Sequence, residues 1–378
     1  MGSTALTGID RRSLLGAALG LSFIPRAAFA EADAGPSGPA FIGAGADRDG
    51  GYFARIVDAR GRDCARLPLS ARGHGAAWRP GSRELVVLAR RPGRFALVVD
   101  VAAGAVTRRI DALPSRHFYG HGVFSRDGRW LFASENDFSA GRGVIGVYDA
   151  ASGYRRESEL PSHGVGPHEL VLTPDGRQLV VANGGIRTHP ESGRRKLNLD
   201  SMAPNLAYID SGNGALLHRH ELPADFHKLS IRHLAVATDG LVCLALQNEG
   251  PRDRLVPLVG FQRGEGDIAL AAPSHEVLRR MRHYCGSAAV DESGAYLAVS
   301  APRGGLVTFW STVERRHLSS LAVADGCGLA PAGGTGRFLV SSGQGKLLVY
   351  DCVESLAEVL TDDGNEGLAW DNHLTAIL

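Results

Sequence analysis

His74, His121, His168, His233 and His373 each begin a short apolar run, and Cys285 and Cys327 begin two more. Imidazole and thiolate are ligands for iron, copper and zinc. Their recurrence at one place in a repeated pattern raises the prospect of a transition-metal centre. The competing reading is structural: such a histidine can hydrogen-bond inside its own repeat. Opposite members of a ring are expected to lie too far apart for all five histidines to share one ion. A site would then use two or three neighbours, with His121 and His168 the best pair, ahead of His74, His233 and His373.

More polar groups follow each apolar run. "SEND" carries Asn136, "NGG" begins at Asn183 and "QNEG" begins at Gln247. The longest insertion, "NGGIRTHPESGRRKLNLDSMAP", spans 183–204 and brings Arg187, His189, Arg194 and Lys196. His189 would add a metal contact. Arg187, Arg194 and Lys196 suit an anionic group such as a carboxylate or phosphate. Asn136, Asn183 and Gln247 would line the mouth of the same site. A solvated cap is the plainer reading of this insertion. Long loops on one face of a repeat fold are where selectivity usually sits.

These residues need a scaffold that returns one register to one place. "HGAAWRPGSRELVVLARR" from His74, "HGVFSRDGRWLFASEND" from His121 and "HELVLTPDGRQLVVANGG" from His168 are variations on one theme. So are the segments from His233, Cys285 and Cys327, at intervals of about 40 to 65 residues. Each is a strand, a tight Asp-, Ser- or Gly-bearing turn and a second strand. A third strand often ends in Asp, as at Asp100, Asp149, Asp210 and Asp351, and a weaker fourth follows. Four antiparallel strands per unit describe propeller blades.

Six units are complete. The N-terminal "AFIGAGAD", "GYFARIVDA" and "CARLPLS" supply three strands of another blade, and the C-terminal "NHLTAIL" supplies its first. The reading is all-β: a seven-bladed propeller over 41–378, closed by pairing the C-terminal strand with the N-terminal blade. The first strand of a blade lines the channel and the second returns, so the strand-one starts and the loops after strand two share one face.

The segments "NGGIRTHPESGRRKLNLDSMAPNL", "HGVFSRDGRWLFASEND", "YCGSAAV" and "WDNHLTAI" together resemble the bacterial family called domain of unknown function 1513. The resemblance implies an exported propeller of WD40/YVTN-like type. It also implies a place beside imelysin-like and di-haem peroxidase-like proteins in iron-related settings, and assigns no catalytic residue.

Ahead of the propeller, "RRSLLGAALGLSFIPRAAFA" has an arginine pair, a moderately apolar run and an A-x-A end. It reads as a twin-arginine-type signal over 1–30. A flexible stretch over 31–40 follows, and export to the periplasm with no membrane span in the mature protein. Five cysteines are an odd number, so at least one is unpaired within the chain. With 41 basic and 40 acidic residues there is no nucleic-acid surface. "GAGADRDGG" and "GQGKL" lack the spacing of nucleotide loops.

The functional expectation is a binding or accessory propeller in iron or other metal handling. Its cofactor would be a transition metal such as iron or copper, and its partners imelysin-like or peroxidase-like proteins. The alternatives are an enzyme using the same mouth, a hydrolase or lyase on a carboxylated substrate, and a pure protein-docking scaffold.

Overall fold

The structure, a computed structural model, describes residues 38–193, 195–361 and 367–377. The expected signal and most of the 31–40 stretch lie outside the described residues, as does Arg194. Within them the chain forms seven four-stranded sheets, each antiparallel between neighbours. Blade 1 is built from both ends: its innermost strand, Ala369–Ala376, pairs with Pro39–Ala46, and Tyr52–Asp58 and Asp63–Leu69 complete it. The closing strand begins three residues before the "NHLTAIL" segment, and the first strand begins at Pro39 rather than 41.

Position within a blade explains the sequence pattern. Middle strands such as Glu84–Ala89 and Phe95–Asp100 are covered on both faces by the adjacent blades and read as nearly unbroken apolar runs. The outermost strand of the same blade, Ala105–Asp111, is largely exposed and carries Arg108 and Arg109. The recurrent Asp at the end of a third strand folds the chain back. Asp100 Oδ1 accepts from the Ala102 and Ala103 amides at 2.9 Å, and Asp210 and Asp351 do the same for their own turns. Such Asx turns let a short side chain replace a backbone acceptor.

Blade 5 departs most from the pattern. Its outer strands shrink to Val259–Gln262 and Ala269–Ala271, and a short helix, His275–Arg280, leads into blade 6. All five cysteines are free thiols, four of them buried. No helix among the described residues is long and apolar enough to cross a membrane.

Candidate metal centre beneath a basic cavity

The innermost strands are irregular where the histidines lie. In blade 2, Gly73 pairs with Ala89 but Ala76 pairs with Val87, leaving His74 inside a bulge. His121 falls in the bulge between Phe118 and Gly122, His168 between Pro167 and Leu170, and Cys327 between Gly326 and Leu329. In blade 5 the extra residue is Arg232, between Ile231 and His233. In blade 1, Gly43 pairs with Leu374 and Gly45 with Trp370, so the irregularity takes in Asp371, Asn372 and His373. A bulge bends its strand and re-aims a side chain. Here it turns imidazoles inward toward the propeller axis.

Hydrogen bonds between blades hold these axial segments. Ser134 Oγ donates to the His168 carbonyl at 2.9 Å, Gln247 Nε2 to the Cys285 carbonyl at 2.8 Å and Ser300 Oγ to the Cys327 carbonyl at 2.7 Å. Each donor sits near the end of a second strand and grips the axial residue of the next blade. Gln247, expected at the mouth, lines the cavity and also serves as one of these clamps.

The five histidines converge. Ring centroids lie 4.5 Å apart for His74–His373, 4.6 Å for His121–His373, 4.8 Å for His121–His168 and 5.8 Å for His121–His233. The ring is narrower than expected, since His233 and His373, from blades 5 and 1, lie 4.8 Å apart, but the sets that can share an ion are of three, as expected, though not all from neighbouring blades. Side chains projecting inward from bulged strands close the gap that backbone separation alone would leave. Two sets of three can each offer ligand atoms within 4.8 Å of one another: His74, His121 and His168, and His121, His233 and His373. His121 belongs to both.

Carboxylates orient the rings from behind. His74 Nδ1 donates to Asp371 Oδ1 at 3.0 Å, and His233 Nδ1 donates to Glu169 Oε2 at 3.2 Å. Glu169 Oε1 faces His121 Nδ1 at 3.6 Å. A proton placed on Nδ1 leaves the lone pair on Nε2. The Nε2 atoms of His121, His233 and His373 are all buried and have no hydrogen-bond partner. Burial lowers the His74 imidazole to about 4 and, with Arg232 and Arg90 nearby, His233 to about 3. Burial and the neighbouring rings hold His121, His168 and His373 well below their ordinary value. All five are neutral near pH 7, which is the state that binds a metal.

Burial raises the Glu169 carboxyl to about 8. Burial would raise Asp371 as well, but the His74 hydrogen bond and the charges of Arg90 and Arg72 outweigh it and hold this group far below the usual range. The thiols take no part. Burial raises both Cys285 and Cys327 to about 12, and they donate to backbone carbonyls, Cys285 to Leu258 and Cys327 to Asp371.

A cavity of about 420 Å³ opens over His74 and His168. Its wall includes Arg90, Arg91, Lys196, Arg232 and Arg303, with Tyr119, Gln247, Tyr284 and Asn372, and Asp325 as its acid. Of the long-loop residues, Lys196 reaches this wall and pairs with Glu249. His189 does not join the cluster: it caps the turn Pro190–Ser192 and rests edge-on against Phe138 at 5.1 Å. Arg187 is exposed and lies against Gly141.

Asn136 and Asn183 turn into the scaffold. Asn136 Nδ2 donates to the Thr188 carbonyl and to His117 Nε2, and Asn183 Nδ2 donates to the Ser162 carbonyl. They anchor the long loop and the blade edge. The sequence reading overlooked Glu169, Asp371, Arg90, Arg91, Arg232, Tyr119, Tyr284 and Arg303. Signals existed for two of them: Glu169 directly follows His168, and Asp371 stands two residues before His373.

Residues 67–377 match the family described as protein of unknown function, DUF1513. The chain belongs to that family. The match takes in all five axial histidines and the long loop. No curated protein matches the chain in sequence. Among solved structures, hydrazine synthase of Kuenenia stuttgartiensis is similar at a TM-score of 0.60 and 15% identity, over 87% of this chain and 97% of that one. At that identity the likeness concerns the fold.

Proposed function

We propose that this propeller is a metal-dependent enzyme that holds one transition-metal ion among its axial histidines and acts on a small anionic substrate entering through the basic cavity. The observation that carries this reading is the set of buried, unpartnered Nε2 atoms of His121, His233 and His373. A buried polar atom left without a partner costs about 1–3 kcal/mol. Three around one axis, two of them on rings backed by Glu169, are best accounted for by a ligand they share. Neutral imidazoles suit iron, copper or zinc. Because His121 belongs to both sets, the two describe one centre rather than two independent ions.

Catalysis fits better than a purely structural ion because the cluster lies beneath an open cavity, and catalytic sites keep a coordination position free. The bound ion would supply Lewis-acid or redox chemistry. The chain's own residues orient the rings, exclude bulk water from beneath and gather negative charge above. A second reading is favoured by the number of rings. Two overlapping sets of three imidazoles can fill a coordination sphere and leave the protein a metal carrier or accessory factor, working with imelysin-like or peroxidase-like proteins after twin-arginine export to the periplasm.

Elemental analysis and titration of chelator-treated protein with ferrous, ferric, cupric and zinc ions test the centre. About one equivalent should bind, and His121→Ala should abolish it. X-ray absorption separates the two readings: an open position supports the enzyme, a sphere filled by imidazole supports the carrier. No bound ion and no titratable affinity would overturn both.

A further inference from the structure

Arg232 is the extra residue in the blade 5 bulge, so the irregularity that delivers His233 to the axis also delivers a guanidinium to the cavity. The residue is only 6% exposed, and its Nε has no hydrogen-bond partner. Long charged side chains are rarely buried unless paired, and an uncompensated buried charge costs several kcal/mol. The surroundings relieve it only in part: the charge of Glu249 offsets it, but that carboxylate is already bound by Lys196. Asp371, the acid beneath the cavity, already accepts from His74, Arg72 and Arg90. Arg303, over the ring of Tyr284 at 4.2 Å, adds a further cation to the wall. Asp325 is the acid lining the cavity.

We propose that Arg232 is the anchor of a substrate subsite, and that the substrate is a small carboxylate held in the cavity above the imidazoles. This rests on the metal-dependent reading for its chemistry but not for its binding. A guanidinium is a planar fork that matches a carboxylate in two parallel hydrogen bonds. The cavity's volume suits a compact organic acid rather than a polymer. Tyr119 and Tyr284 give the wall an amphipathic surface for a short carbon frame. Bound carboxylate would meet Arg232 at one end and present the rest of the molecule to His74 and His168, which line the same cavity. Arg232 is in this account a binding residue, not a catalytic one.

The test is run on chelator-treated protein, so that it stands or falls apart from the metal. Succinate and inorganic phosphate are titrated by calorimetry into the full chain and into Arg232→Met and Arg232→Lys variants. Succinate should bind the unsubstituted protein, weaken at least tenfold in Arg232→Met and recover in part in Arg232→Lys. The ligand-free Arg232→Met protein should melt no lower than its parent, since it loses a buried charge whose offsetting acid, Glu249, keeps Lys196 as its partner. That melting curve also shows that the variant folds. Three results would overturn the assignment: no binding of succinate, equal binding by Arg232→Met, or preference for phosphate over carboxylate. Loss of metal binding with retained succinate binding would remove the metal centre and leave the subsite standing.

Discussion

His74 donates to Asp371 across 3.0 Å, although 297 residues separate them. Asp371 lies on the strand that closes blade 1, and His74 on the innermost strand of blade 2. The same carboxylate receives Arg72 and Arg90. One buried acid thus joins the end of the chain to its second blade and orients an imidazole of the axial cluster.

Replacing that acid should damage both functions. Asp371→Asn removes the charge opposite Arg90 and is expected to cost about 3 kcal/mol, in the range for breaking a buried pair. Urea unfolding measures it. A loss below about 0.5 kcal/mol would show that the closure does not depend on this contact.

Removing residues 372–378 takes away most of the closing strand and exposes the edge of Pro39–Ala46. The truncated chain should melt at least 10 °C lower than the full chain or fail to fold, because ring closure couples every blade to the next. Equal melting temperatures would contradict the closure.

Acid should destabilise the metal-free protein. The axial imidazoles are depressed in the fold, His74 from an ordinary 6.5 to about 4. Between these values the unfolded chain binds more protons than the folded one, so stability falls as pH drops below about 6.5. His74 alone contributes roughly 3 kcal/mol by pH 4. Glu169, raised to about 8, works in the opposite direction as pH falls from 8 toward 4.5, but it is one group against five. Thermal melts from pH 8 to pH 4 should show the midpoint falling most steeply below pH 6.5.

Glu169→Gln should separate metal affinity from stability. The buried carboxyl is raised to about 8, so the neutral amide imitates its state in the metal-free protein near pH 7. Melting without metal should change little. Metal affinity should fall about tenfold or more, since a carboxylate that hydrogen-bonds the far nitrogen of a ligating histidine carries that much. Unchanged affinity would show that Glu169 does not tune the centre.

The expected leader makes a prediction of its own. If 1–30 serve as the proposed twin-arginine-type signal, exported protein should begin near Glu31, after "AFA". Intact-mass measurement of protein from a periplasmic fraction checks this, and a full-length chain recovered only from the cytoplasm would contradict it.

The blade architecture was written in the sequence because it depends on local rules repeated many times. Apolar runs mark strands covered on both faces, turn residues mark hairpins, and the terminal Asp of a third strand builds its own turn. The axial histidines were visible for the same reason: one register recurred. What the sequence could not show was how far their side chains reach, because each bulge adds residues to a strand without a local signature. Nor could it show that Asn136 and Asn183 face inward to anchor loops, or that His189 packs on Phe138, since partners for those groups come from distant segments. Arg232 was hidden most completely. Beside His233 it reads as an ordinary surface cation, and only the fold buries it at the cavity. Local periodicity determined the ring and what stands in it. Long-range packing determined which side chains meet at its centre.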